Sequence, residues 1–155
     1  MIKPAPVKGL HAIIEHSGEI SRYDCEKLEL LLSSAAKAAG ATILGANFHS
    51  FGKGMGNTGV LILAESHMSV HTWPENNYAA IDIFFCGNLD RDGLEPVEAA
   101  IQVLRSADKH GCFHSQIIGR SAPEFKTNID SDQAGTKIVS NEGSIGHKFQ
   151  STITL

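Results

Sequence analysis

The sequence predicts an α+β fold: a two-layer α/β sandwich in which an antiparallel sheet carries its helices on one face. Two observations predict it. Strand-like runs follow one another in groups separated by short turns, and two stretches carry apolar residues at helical spacing between them. At 155 residues the chain has room for one domain. The sheet face opposite the helices then needs a cover, and a partner chain is the simple one.

Residues 8–16 read as the first strand, with Leu10, Ala12 and Ile14 on one face. Ser21-Arg22-Tyr23-Asp24 reads as a helix start capped by the Ser21 hydroxyl, with Asp24 three residues on. Leu28, Leu31, Leu32, Ala35 and Ala39 then recur at helical spacing, and Gly40 sits where a C-cap glycine belongs. Residues 42–48 form a second strand, and a glycine-rich loop follows over 52–59. Residues 60–64 are apolar throughout, which predicts a strand covered on both faces. Two further strands, 65–73 and 79–86, flank the turn Pro74-Glu75-Asn76-Asn77. After a turn over 87–93, Val97, Ala100, Ile101 and Leu104 stripe a second helix over 95–109, followed by Gly111. Residues 112–118 alternate as a last strand. Beyond Pro123 the pattern dissolves, so a domain of residues 1–123 precedes a C-terminal tail of residues 124–155.

Composition narrows the function classes. Hydrophobic residues at 42% and charged residues at 19% exclude a disordered or fibrous chain. A net charge of −4 gives no draw to nucleic acid or to an anionic membrane. No apolar run approaches the ~20 residues of a membrane span. The start, Met1-Ile2-Lys3-Pro4, lacks the apolar stretch of a signal peptide. Cys25, Cys86 and Cys112 are scattered and without CxxC pairing, so the expected setting is a reducing cytoplasm without disulfides.

The chemistry lies in Glu65-Ser66-His67-Met68-Ser69-Val70-His71-Thr72-Trp73-Pro74-Glu75, followed by Asp82 and Cys86-Gly87. A hydroxyl, imidazoles, carboxylates and a thiol crowd into otherwise apolar strands, where unpaired polar groups are costly. Zinc fits poorly: His67 and His71 on a strand share a face but lie ~13 Å apart, and no HExxH or CxxC accompanies them. A Ser–His hydrolase lacks its GxSxG elbow. The glycine loop lacks the GK[ST] ending of a phosphate loop.

Ala64-Glu65-Ser66-His67, His71-Thr72-Trp73-Pro74-Glu75, Ala80-Ile81-Asp82 and Cys86-Gly87 together closely resemble the prokaryotic S-adenosylmethionine decarboxylase family, over roughly residues 9–120. The resemblance implies a dimeric α/β sandwich whose cofactor is a pyruvoyl group made from an internal serine, here Ser66. Self-cleavage at Glu65–Ser66 would give a β chain of residues 1–65 and an α chain of residues 66–155. By the same match Ser66 attacks its own preceding carbonyl, and Thr58 supports the oxyanion. His71 is the base that removes the Ser66 α-proton, a task suited to an imidazole with an ordinary pKa of about 6.5. The resulting pyruvoyl carbonyl forms a Schiff base with the substrate amine, and Cys86 returns a proton to the product carbon. Glu75 matches the carboxylate that accepts the ribose hydroxyls, and Phe51 the aromatic that stacks on adenine. His67 and Trp73 receive no chemical role and read as structural. No metal and no pyridoxal phosphate are expected.

Spacing adds a constraint. Ser66 and His71 on one continuous strand fall on opposite faces and ~16 Å apart, so one chain does not bring them together. A site across a homodimer interface does, with Ser66 and Cys86 from one protomer and Thr58, His71 and Glu75 from its partner. Asn57 stands where the family carries an apolar residue, a departure expected to shift adenine packing or add a polar contact. Three readings stay open at this point. They are decarboxylation of S-adenosylmethionine for polyamine synthesis, pyruvoyl-dependent decarboxylation of ornithine or arginine, and an unprocessed ligand-binding protein. Glu75 favours the first, because the smaller substrates have no diol to bind.

Overall fold

The computed structural model describes residues 8–86 and 94–121. The expected turn over 87–93 and the expected tail over 124–155 lie outside the described residues. Six strands and two helices are present among those described: β1 (Lys8–Ser17), α1 (Cys25–Ala38), β2 (Ile43–Ser50), β3 (Asn57–Leu63), β4 (Ser66–Trp73), β5 (Tyr78–Cys86), α2 (Glu95–Ala107) and β6 (Cys112–Ser121). They form one sheet in the order β2-β3-β4-β5-β1-β6, and every neighbouring pair is antiparallel.

Period-two patterning divides the sheet into two faces. Along β5, Ala79, Ile81, Ile83 and Phe85 are buried, while Tyr78, Ala80, Asp82, Phe84 and Cys86 are half-buried. Along β4, Met68, Val70 and Thr72 are buried, while His67, Ser69, His71 and Trp73 are half-buried. The buried set packs with Leu28, Leu31, Leu32, Ala35 and Ala36 of α1 and with Val97, Ala100, Ile101 and Leu104 of α2 in a single core. Burying each such Leu or Ile contributes about 1.5–3 kcal/mol. The helix stripes expected from sequence are therefore what fix both helices to this one face.

Two expectations need correction. Asp24, not Ser21, caps α1: its carboxylate accepts the Lys27 N–H at 2.8 Å. Ser21 is buried in a 3₁₀ turn, Glu19–Arg22, and donates its hydroxyl to the Gly18 carbonyl at 2.6 Å. Tyr23 is extended after that turn, so the helix begins only past it. Within one chain the apolar run 60–64 is covered on one face alone. Leu61 and Leu63 are buried, but Ile62 is 53% exposed, because the helices lie on the other side of the sheet. Gly40 ends α1 at φ 71° as expected, a left-handed conformation that costs glycine nothing.

At one end of the sheet a buried histidine–aspartate hydrogen bond joins β1 to the segment after α2. His16 Nε2 lies 3.1 Å from Asp108 Oδ2. Burial lowers the His16 imidazole from its ordinary value, against the opposing pull of Asp108. Burial alone would raise Asp108. The N–H groups of Glu19 and His110, the His16 ring and the Gly111 N–H outweigh it and hold the carboxyl below its usual range.

Candidate active site

The junction between β3 and β4 is held on three sides. Ala64 N–H donates to the Thr42 carbonyl at 2.9 Å, and Thr42 N–H donates to Glu65 Oε2 at 3.0 Å. The Glu65 carbonyl, the one preceding Ser66, accepts the Cys86 N–H at 2.8 Å. Ser66 itself has φ 153°, and among the described residues only Asn77 is another non-glycine with positive φ. Such a conformation costs of order 1–3 kcal/mol and persists only where its surroundings enforce it. Here those surroundings are the β3–β4 and β4–β5 ladders, in which Ser66 pairs with Leu63 and Phe85. Ser66 Oγ lies 3.2 Å from His67 Nδ1. A hydroxyl thus adjoins a peptide carbonyl whose oxygen already faces a fixed donor, as an acyl shift requires.

His71 stands at the opposite end of β4, directly across from Thr58 of β3. Its ring is flanked by Trp73 at 4.1 Å and Phe51 at 5.6 Å between centroids. Trp73 stacks in turn on Tyr78 at 5.2 Å. The Tyr78 hydroxyl donates to Glu15; that bond, aided by burial, pushes the phenol up to about 12. Thr58 Oγ1 donates to the Val70 carbonyl at 3.3 Å. Gly56 sets the entry to β3 at φ 85°, where a Cβ would fall 2.1 Å from the Thr72 carbonyl oxygen. Glu75 is exposed in a 3₁₀ turn, Pro74–Asn76. Asn77 closes that turn, accepting the Gly18 N–H at 3.1 Å on its carbonyl and the Arg22 guanidinium at 2.6 Å on its side chain. The carboxylate therefore projects from a braced platform.

Register keeps these two groups apart. Leu63 pairs with Ser66 and Thr58 with His71, five residues away on each strand, which is ~16 Å. One chain brings the Cys86 N–H to the Glu65 carbonyl, and Phe51 and Thr58 to His71, but it does not unite the two sets. Between them lies a polar bridge: Asp82 accepts the Ser69 hydroxyl at 3.3 Å and contacts His11 Nε2 at 3.2 Å. Asn57 does not reach this face. Its side chain donates to the Tyr23 carbonyl at 2.8 Å and accepts the Cys25 thiol at 3.5 Å, tying β3 to the start of α1. The expected polar contact beside the adenine is thereby redirected into the fold. Sequence reasoning set His67 and Trp73 aside, yet both touch site residues. The adjacency of His67 to Ser66 was the only signal available for it, while Trp73, two residues past His71 on the predicted strand, falls on the face of His71. Among the described residues, no three His, Cys, Asp or Glu side chains converge to hold a metal ion.

The S-adenosylmethionine decarboxylase family model matches residues 10–120, a span that includes both half-sites. The chain belongs to that family. Among similar proteins, the S-adenosylmethionine decarboxylase proenzyme of Prochlorococcus marinus is 46% identical over 105 residues, covering 63% of this chain and 74% of the relative. The proenzyme of the same description from Thermosipho africanus is 38% identical over 114 residues, covering 68% and 82%. The crystal structure of the adenosylmethionine decarboxylase from Aquifex aeolicus superposes with a TM-score of 0.62 at 29% identity, covering 79% of this chain and 98% of that one. The fold of that structure is thus shared by this chain. Among the described residues, no helix is long and apolar enough to cross a membrane.

Proposed function

We propose that this protein decarboxylates S-adenosylmethionine after cutting itself between Glu65 and Ser66 to leave a pyruvoyl group on residue 66. One observation carries the reading: the strained Ser66, with its hydroxyl beside a Glu65 carbonyl whose oxygen accepts the Cys86 N–H at 2.8 Å. These residues fit the group, which is made from an internal serine that follows a supported carbonyl. Ser66 Oγ attacks the Glu65 carbonyl carbon and the peptide C–N bond breaks, leaving an ester. His71 then takes the Ser66 α-proton, the Glu65 carboxylate departs, and the remaining enamine hydrolyses with loss of ammonia. The products are a β chain of residues 1–65 and an α chain of residues 66–155, built around a domain of residues 1–123.

The pyruvoyl carbonyl supplies an electron sink for the substrate amine. The chain's own residues do the rest. Cys86 holds a proton beside residue 66 for the product carbon. Glu75 accepts the ribose hydroxyls from its braced turn, and Phe51 offers an exposed ring to the adenine. Thr58 supports the carbonyl oxygen during cleavage. Because Ser66 and His71 lie at opposite ends of β4, the complete site draws Thr58, His71 and Glu75 from a second copy covering the open face. The compartment expected for this homodimer is the cytoplasm.

Intact mass under denaturing, reducing conditions tests the cleavage: two species divided at Glu65–Ser66, the larger lacking one ammonia, support it. A single full-length species refutes it. Release of carbon dioxide from S-adenosylmethionine, but not from ornithine or arginine, tests the substrate. Coexpression of Ser66→Ala and His71→Ala chains tests the shared site. A heterodimer restores one wild-type pair across the interface, so cleavage of the His71→Ala chain is expected. If neither chain is cut, the site lies within one protomer.

A further inference from the structure

Serine hydroxyls are weak nucleophiles, and an acyl shift at neutral pH needs a base in contact with the oxygen. His71 of the same chain sits at the other end of β4, and the partner's His71 has the later task of taking the α-proton. The nitrogen within reach of Ser66 Oγ is His67 Nδ1, at 3.2 Å. With its proton on Nε2, that ring presents Nδ1 as an acceptor for the hydroxyl. Phe84, the cross-strand partner of His67, holds the imidazole through an edge-to-face contact with centroids 5.7 Å apart. Nucleophile and base are thus consecutive residues, and the φ of 153° falls on the first of them.

We infer that His67 is the general base of the first step, a role resting on the reading that the Glu65–Ser66 bond is processed. His67 Nδ1 takes the hydroxyl proton as Ser66 Oγ bonds to the Glu65 carbonyl carbon. The carbonyl oxygen becomes an oxyanion against the Cys86 N–H. When the carbonyl reforms, the C–N bond breaks and the imidazolium returns the proton to the departing Ser66 nitrogen. One bond forms, one breaks, and the proton passes from oxygen to nitrogen with no other reactant. His67 and His71 therefore divide the reaction, one acting before the ester and one after it.

The test compares His67→Phe, His67→Ala and His71→Ala chains by intact mass, with and without hydroxylamine, which cuts an ester but not the peptide bond. His67→Phe keeps a ring against Phe84 and lacks the nitrogen. It is expected to cleave about 100-fold more slowly or worse and to stay whole in hydroxylamine. His67→Ala, the second variant should the first not fold, behaves likewise and regains cleavage with added imidazole, which a packing role does not permit. His71→Ala is expected to stay whole alone and to split at residue 66 in hydroxylamine. The inference is overturned if a folded His67→Phe chain cleaves within threefold of the native rate, or if it accumulates a hydroxylamine-sensitive ester. Should the native chain itself remain whole, both this inference and the processing reading fail. Native cleavage with an unaffected His67→Phe chain overturns His67 alone.

Discussion

The two faces of the sheet are built from the same strands and solve different problems. On the helix side, Ala12, Ile14, Met68, Val70, Ile81 and Ile83 are almost wholly buried and make the core with α1 and α2. Opposite them, His11, Ser69, His71, Trp73, Tyr78 and Asp82 are half-buried and bonded or stacked to one another. The first face specifies the fold through volume and apolar area. Freed from that task, the second carries polar and aromatic groups whose unspent hydrogen-bonding capacity suits chemistry. Alternation along each strand lets a residue serve one purpose without compromising its neighbour.

Substitutions at the reactive junction, on the core face and on the open face should differ in what they disturb. Ser66→Ala removes the nucleophile and is expected to abolish cleavage while leaving the melting temperature within a few degrees of native; a chain still cut at residue 66 would break the comparison. Ile83→Ala, on the core face, should cost about 2–5 kcal/mol, lowering the melting temperature by roughly 2–4 °C for each kcal/mol. Calorimetry checks it, and cleavage in the folded fraction should continue. Trp73→Leu frees one side of the His71 ring and should slow processing roughly ten- to hundredfold, with Trp73→Tyr retaining most of the rate. Intact-mass time courses, alongside unchanged melting, would separate this from a packing defect.

The smallest expected effect is a pH dependence seated in the core-side pair. His16 is held below its ordinary pKa of 6.5, so the unfolded chain binds the proton that the folded one refuses. That contribution is full above pH 6.5 and is lost as pH falls through it toward the lower folded value. Asp108 adds a second loss at more acidic pH, below its ordinary 3.8. Denaturant midpoints measured from pH 7.5 to 5.5 should fall for the native chain, and His16→Gln should flatten that limb. A slope unchanged in the variant would assign it to other groups.

Much of this was legible in the sequence because it depends on local periodicity. Leu10, Ala12 and Ile14 at every second position and the stripe from Leu28 to Ala39 determine strand and helix and which side of each is apolar. The helix start was not, because Ser21 and Asp24 both satisfy a capping pattern and only the extended Tyr23 between them decides which one caps. The run 60–64 misled for a similar reason: five apolar residues do not say how many layers cover a strand. Among candidate site residues, the motif from Glu65 to Glu75 marked the reactive segment, and counting along the strand already separated Ser66 from His71.

Cross-strand neighbours are a different matter. That the Cys86 N–H holds the Glu65 carbonyl follows from the pairing of β4 with β5, and a register shifted by one residue would remove it. Tyr78 of β5, the cross-strand partner of Trp73, backs the ring that lies against His71, and Asn57 turns to α1 because strand parity sends its side chain toward the helix. Sequence by itself determined the elements, their apolar faces and the residue types available for chemistry, since these are properties of short windows. Only the tertiary structure decided which of those residues touch, because contact between distant segments depends on register and packing that no window contains.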